Sequence, residues 1–140
     1  SAHRDAESQA FFAKGCRLGD GVSCTNYAAG LRDLAESPES ELAVCATRIF
    51  HLACERGETL WACGMYGRAL ARGEGVTSDA SRARAFLDAK CTTGSGFACS
   101  TLGQGLRMGW FGEENPTDAR AAYARGCAAG YTAACAHSTE

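Results

Sequence analysis

An all-α fold, an α/α solenoid of four helix-turn-helix repeats, is what the sequence predicts, and three observations predict it. Nine cysteines stand in 140 residues, and eight of them fall into pairs at Cys16/Cys24, Cys54/Cys63, Cys91/Cys99 and Cys127/Cys135. Corresponding cysteines recur every 36 to 39 residues, a self-similarity of the length that marks repeat arrays. Three positions after each first cysteine comes a glycine (Gly19, Gly57, Gly94, Gly130), and apolar residues keep helical spacing on both sides of it. No segment holds a period of two for long, so strands are not expected.

The first helix of each unit follows from the residues before its first cysteine. Bulky side chains lie four positions back (Phe12, Phe50, Leu87, Tyr123) and small ones eight back (Ser8, Ala46, Ala83, Ala119). Positions 0, −4 and −8 share one helical face. The glycine that follows is the left-handed residue that ends such a helix. The second helix carries Tyr27/Leu31, Tyr66/Leu70 and Leu102/Leu106 at three and seven positions beyond its cysteine, with Ala28, Gly67 and Gly103 as small contact points beside them. Boundaries come from capping chemistry. Ser37-Pro38 and Asn115-Pro116 put a capping side chain before a proline at the first helical position. Arg72 to Val76, reading RGEGV, closes a helix before Ser78-Asp79 opens the next. The chain is read as one domain, 1–140, with units of about 1–36, 37–75, 76–112 and 113–140.

Composition excludes several function classes. The chain is 46% hydrophobic and 21% charged, with a formal net charge of −2. That balance gives no bulk attraction to nucleic acid or to an anionic membrane. No apolar run approaches the ~20 residues of a membrane span. The opening Ser-Ala-His-Arg-Asp has no signal-peptide pattern and is read as what remains after one was removed, or as a boundary.

Within each unit, one cysteine lies in the last turn of a helix and the other in the first turns of the next, across a tight turn. Helices joined this way bring Cα atoms into the range below ~7 Å that a disulfide needs. Zinc is the competing use, but its ligands usually stand two to four residues apart, and His3, His51 and His137 share no phase with the pairs. Disulfides Cys16–Cys24, Cys54–Cys63, Cys91–Cys99 and Cys127–Cys135 are therefore expected, with Cys45 a free thiol and no bound metal. They imply an oxidising compartment, secreted or periplasmic. A solenoid unit contacts only its neighbours, so each unit is stapled separately.

The recurring pattern, carried best by SRARAFLDAKCTTGSGFACSTLGQGL and ARAAYARGCAAGYTAACAHSTE, resembles the Sel1-like repeat, a relative of the tetratricopeptide repeat. A cysteine pair in every unit resembles the Helicobacter cysteine-rich protein type. The resemblance covers the whole chain, with LRDLAESPES and GWFG departing from the glycine-rich closing loop. It implies a scaffold that binds another protein or a peptide. It also implies an alternative, a peptidoglycan-fragment or β-lactam binder with weak β-lactamase activity.

If the array curves as tetratricopeptide-like arrays do, the second helices line the concave face. Thr25, Arg32, Asp33, Arg68, Arg72, Ser100, Gln104, Arg107 and Met108 then point into a groove, with Trp61 and Phe97 at its edge. The ligand residues expected are Arg32, Trp61, Arg68, Arg72, Phe97, Gln104 and Arg107. Four arginines against one aspartate make a basic trough suited to carboxylates and phosphates, and so to an anionic or peptide-like ligand such as an acidic partner. The loop at Trp110-Phe111 is the next candidate. No catalytic residue is assigned, because S-x-x-K, S-D-N and K-T-G are absent, as are H-E-x-x-H and the phosphate-cradling glycine loop. The glutamates Glu55, Glu58, Glu113 and Glu114 read as solvated turn residues. Cys45 has no His or Asp in phase to activate it. No cofactor is expected.

Overall fold

The computed structural model describes residues 6–57 and 59–139, with the side chains of Ser8 and Phe12 outside that description. The expectations placed on Ser8, Phe12, His3 and Glu58 therefore lie outside the described residues. Among the described residues seven α-helices follow in order: α1 (Ala6–Arg17), α2 (Gly21–Leu34), α3 (Glu41–Glu55), α4 (Leu60–Arg72), α5 (Ala80–Thr92), α6 (Gly96–Met108) and α7 (Pro116–Ala128). A 3₁₀-helix over Thr132–Thr139 comes last. No strand occurs among the described residues. The fold is an α solenoid of paired helices. One difference stands out in the fourth unit, whose second helix is this 3₁₀ segment and not an α-helix.

The turn inside each unit repeats one device. Gly19, Gly57, Gly94 and Gly130 have φ of +90°, +66°, +106° and +96°. A side chain in that left-handed region costs roughly 1–2 kcal/mol, which explains why glycine holds the position. Each of these glycines donates its N–H to the carbonyl of the first cysteine of its unit, at 3.0 to 3.1 Å. The next helix then starts under a side-chain cap: Asp20, Thr59 and Ser95 accept from Val22, Trp61 and Ala98 backbone N–H groups. Across each turn the structure joins Cys16–Cys24, Cys54–Cys63, Cys91–Cys99 and Cys127–Cys135, with Cα–Cα distances of 4.4, 4.7, 4.5 and 4.7 Å. Cys45 is free and exposed on α3.

Between units, the boundaries are set by a second group of caps. Asn115 caps α7 with Pro116 at its first position, and Asp79 caps α5. The Ser37-Pro38 expectation is corrected. Ser40 caps α3 by accepting from the Ala43 N–H, and Pro38 stays in the preceding turn. Its carbonyl is occupied there, receiving the Gly75 N–H at 2.7 Å. Beside it the Thr47 hydroxyl donates to the Glu74 carbonyl at 2.6 Å. The loop after α4 is thus tied back onto the start of its own unit. Gly75, at φ +70°, backs onto the Ala43 carbonyl, where a Cβ would collide with backbone.

Units stack through small residues facing large ones. Phe50, Leu87 and Tyr123 are buried, as are Ala46, Ala83 and Ala119 one turn before them on the same helices. A Cβ on Gly67 would overlap the Leu87 side chain, and one on Gly103 would press on the Tyr123 ring. Ala28, at the same phase, is fully buried. Helices α4 and α6 therefore each present a notch that receives the bulky residue of the following unit. Helix α4 also packs directly on α6. An aromatic ladder runs along this junction, from Phe50 to Trp61 at 6.1 Å, Trp61 to Phe97 at 6.0 Å and Phe97 to Tyr131 at 5.6 Å between ring centres.

Candidate functional site

The second helices carry most of the residues expected to bind, and the structure draws three of them together. Arg32 lies near the end of α2, and Arg68 and Arg72 lie one turn apart on α4. Arg68 and Arg72 converge on the short loop that follows α4, and the Arg32 charge acts on Arg68 from the neighbouring helix. Glu74, fixed there by its carbonyl bond to Thr47, offers one carboxylate oxygen to Arg68 and the other to Arg72, each at 3.5 Å. Arg32 pairs with Asp33 at 3.6 Å and donates to the Met65 sulfur at 3.7 Å. The Arg72 guanidinium also lies over the Trp110 ring, 5.4 Å from its centre.

These ion pairs are loose. A charge-assisted hydrogen bond sits near 2.7–2.9 Å, and at 3.5 Å the buried Arg68 Nε and Glu74 Oε1 make no hydrogen bond to each other. Burial pushes the Arg68 guanidinium below its ordinary pKa range. Glu74 opposes that shift, while the neighbouring Arg32 and Arg72 charges lower it further. The direction is informative. Burial and two like charges outweigh the favourable Glu74 charge at Arg68. Chemically the cluster can receive carboxylates through three guanidinium forks that its own two acids engage only at long range.

The remaining expected residues fall elsewhere. Thr25 is buried, with its hydroxyl donating to the Gly21 carbonyl at 2.9 Å, so it faces the fold and lines no surface. Trp61 and Phe97 belong to the aromatic ladder, where Phe97 lies over Gly64 and leaves no room there for a Cβ. Gln104 donates to the Met108 sulfur at 3.8 Å on α6. Arg107 stands apart from the other arginines. It lies over the Tyr123 ring at 5.8 Å and contacts His137 Nδ1 at 3.3 Å, beside a cavity of about 170 Å³ lined also by Pro116, Ala119 and Arg120. The Trp110-Phe111 loop folds against Gly105, whose missing side chain makes the space.

Sequence reasoning missed Glu74, the residue that organises the cluster. Its signal was its place between two glycines in RGEGV, a loop whose geometry holds one carboxylate in a fixed position. Among the described residues no group of three or more His, Cys, Asp or Glu side chains is placed to hold a metal ion, and no helix is long and apolar enough to cross a membrane. His51 is engaged by Glu55 at 2.9 Å and stacked on Tyr66 at 4.1 Å.

No protein-family model matches the sequence, and no curated protein matches it. A solved structure does. It is a protective antigen present in uropathogenic Escherichia coli strains, displaying an SLR fold, superposing with a TM-score of 0.62 at 22% identity. The match covers 86% of this chain and 27% of the antigen, so the chain spans about a quarter of the length of that structure.

Proposed function

The chain has the Sel1-like repeat fold, stapled by four disulfides, and from that premise we propose that it is a protein-binding scaffold working in an oxidising, extracellular or periplasmic environment. The environment follows from the disulfides, which persist where thiols are not kept reduced. The scaffold role follows from an architecture that exposes continuous helix faces. The ligand class proposed is a carboxylate-bearing segment of a partner protein, received at Arg32, Arg68 and Arg72.

One observation carries this reading: Arg68 and Arg72 share a single loop carboxylate at 3.5 Å each, and Arg32 stands close enough to act on Arg68 while paired to Asp33 at 3.6 Å, all distances too long for short charge-assisted bonds. A partner carboxylate supplies the short, charge-assisted bonds that Glu74 does not, and arginine forks receive it in two-point contact. The test is fluorescence anisotropy with a labelled hexaglutamate peptide. Arg68→Gln combined with Arg72→Gln is expected to weaken binding at least tenfold, about 1.4 kcal/mol. The melting temperature should stay near that of the parent, since neither arginine makes a short bond within the fold. Raising salt should weaken the parent more than the variant. Equal affinity in parent and variant would move the acidic segment away from this cluster.

A further inference from the structure

Five positions before their cysteine the four first helices carry Phe11, Ile49, Phe86 and Ala122. In the third unit the Phe86 ring packs edge-on against Tyr66 of α4, 5.3 Å between centres, with the Lys90 ammonium above it at 5.6 Å. Tyr66 is the residue three beyond its cysteine, and the matching residue on α6 is Leu102. Opposite Leu102, however, the fourth unit supplies only Ala122. The missing ring leaves a cleft of about 580 Å³ between α5 and α7, with Leu102, Leu106 and Ala122 at its floor and Ala85 and Ala121 on its rims. Its size falls in the ~300–1,000 Å³ range of ligand pockets.

The cleft is spanned at both ends by ion pairs from α5 to α7. Arg84 pairs with Asp118 at 3.6 Å, and Arg125 pairs with Asp88 at 2.8 Å while also bonding the Thr92 hydroxyl at 2.9 Å. Two arginines face two aspartates, so the rim is charge-balanced, unlike the cluster at Glu74. Complementarity therefore favours a net-neutral occupant. The repeat supplies the template for what that occupant presents, because the equivalent space one unit earlier holds a phenylalanine ring.

We propose that the α5–α7 cleft is a second binding site, taking an aromatic side chain from a net-neutral segment of a partner polypeptide in the place that Phe86 fills one unit earlier. The bound ring contacts Leu102 and Leu106 at the floor, and the two ion pairs flank the segment that carries it. This site is separate from the arginine cluster in residues, ligand and salt response. Failure of one leaves the other standing.

The probe is N-acetylphenylalanine amide, followed by methyl chemical-shift changes at Leu102 and Leu106 in the disulfide-intact protein. Saturable shifts are expected, with no more than a twofold change in affinity between 0.1 and 0.5 M salt, an experimental range chosen to exceed ordinary screening. N-acetylalanine amide should produce no saturable shift. Ala122→Phe restores the ring of the preceding unit and should weaken binding at least tenfold. Should that variant misfold, Ala85→Leu at the exposed rim closes the same opening without altering the floor and should give the same loss. Absence of saturable shifts with the phenylalanine probe, or unchanged affinity in the folded variants, overturns the proposal. Tighter binding of free phenylalanine than of its capped amide would also overturn it, by showing that the ion pairs select an amino-acid zwitterion and not a polypeptide segment.

Discussion

Gly67 illustrates how much of this fold rests on atoms that are absent. Its Cα lies so close to Leu87 that an added methyl would overlap that side chain, and Leu87 is fully buried. Gly67→Ala gains about 1 kcal/mol of helix propensity but inserts a methyl where overpacking costs about 1–3 kcal/mol. The expected result is a net loss of stability of about 1 kcal/mol, read from the urea midpoint. The partner substitution gives the mechanism. Leu87→Ala alone should cost about 2–5 kcal/mol as a buried large-to-small change. In that background Gly67→Ala should become neutral or stabilising, because the overlap is gone. An additive double variant would show that the notch does not receive Leu87.

Such positions also show what could be read from the chain alone. Ala28, Gly67 and Gly103 stand out as small residues at constant phase, and that suffices to place the inter-unit contact without coordinates. Arg32, Arg68 and Arg72 are a different case. Their phases in adjacent second helices bring them to one side, but Glu74 reaches Arg68 and Arg72 only because its loop is bent back to Pro38 and Thr47. Arg107 shares a phase with Arg32 yet lies over Tyr123, since the following unit puts an aromatic ring beneath it. Charge phase predicts the face; the loops and the next unit decide which charges meet.

At the scale of the element, the staple and the helix pair are one object. Each disulfide closes a loop whose cysteines are eight or nine residues apart, worth about 2.5 kcal/mol on the chain-entropy account. The four are not equivalent in surroundings. Cys91 and Cys99 are buried in the third unit, whereas Cys16 and Cys24 are half-buried in the first. Replacing Cys91 and Cys99 together by alanine should therefore cost more than the entropic value, through lost packing as well. The Cys16/Cys24 replacement should cost no more than it. Chemical denaturation of the two double variants checks the order, and the reverse order would mean that burial does not decide the difference. The 3₁₀ segment after α7 is the element that periodicity did not foresee. Three positions beyond Cys135 stands Ser138, where the earlier units carry Tyr27, Tyr66 and Leu102, so the apolar stripe that holds the other second helices does not begin here.

The whole molecule divides its buried apolar residues into two clusters, one centred on Phe50, Tyr66 and Leu70 and the other on Leu102, Leu106 and Tyr123. That is the expected result of stacking without a common centre. The architecture was legible from four cysteine pairs and four glycines because each fixes a local geometry independently of the rest. It was legible even though identity to the antigen of the same fold is only 22%, since few positions per unit have to be kept. The cleft between α5 and α7 was not, because it arises from one omission, Ala122, whose effect appears only when the units are superposed.

No disulfide here joins one unit to the next; each lies within its own unit. A molecule pulled from its two ends therefore meets only noncovalent resistance as the units peel apart, while every inner turn stays closed. The locked loops shorten the extended chain. At about 3.4 Å per residue, each staple withholds roughly 20–25 Å of length, and each keeps its two helix ends adjacent so that the pair can re-form without searching. In a force spectrometer, adding reductant should release four similar increments of that size. A scaffold tethered between surfaces would behave as a tether with built-in stops, yielding under load between units and recovering from within them.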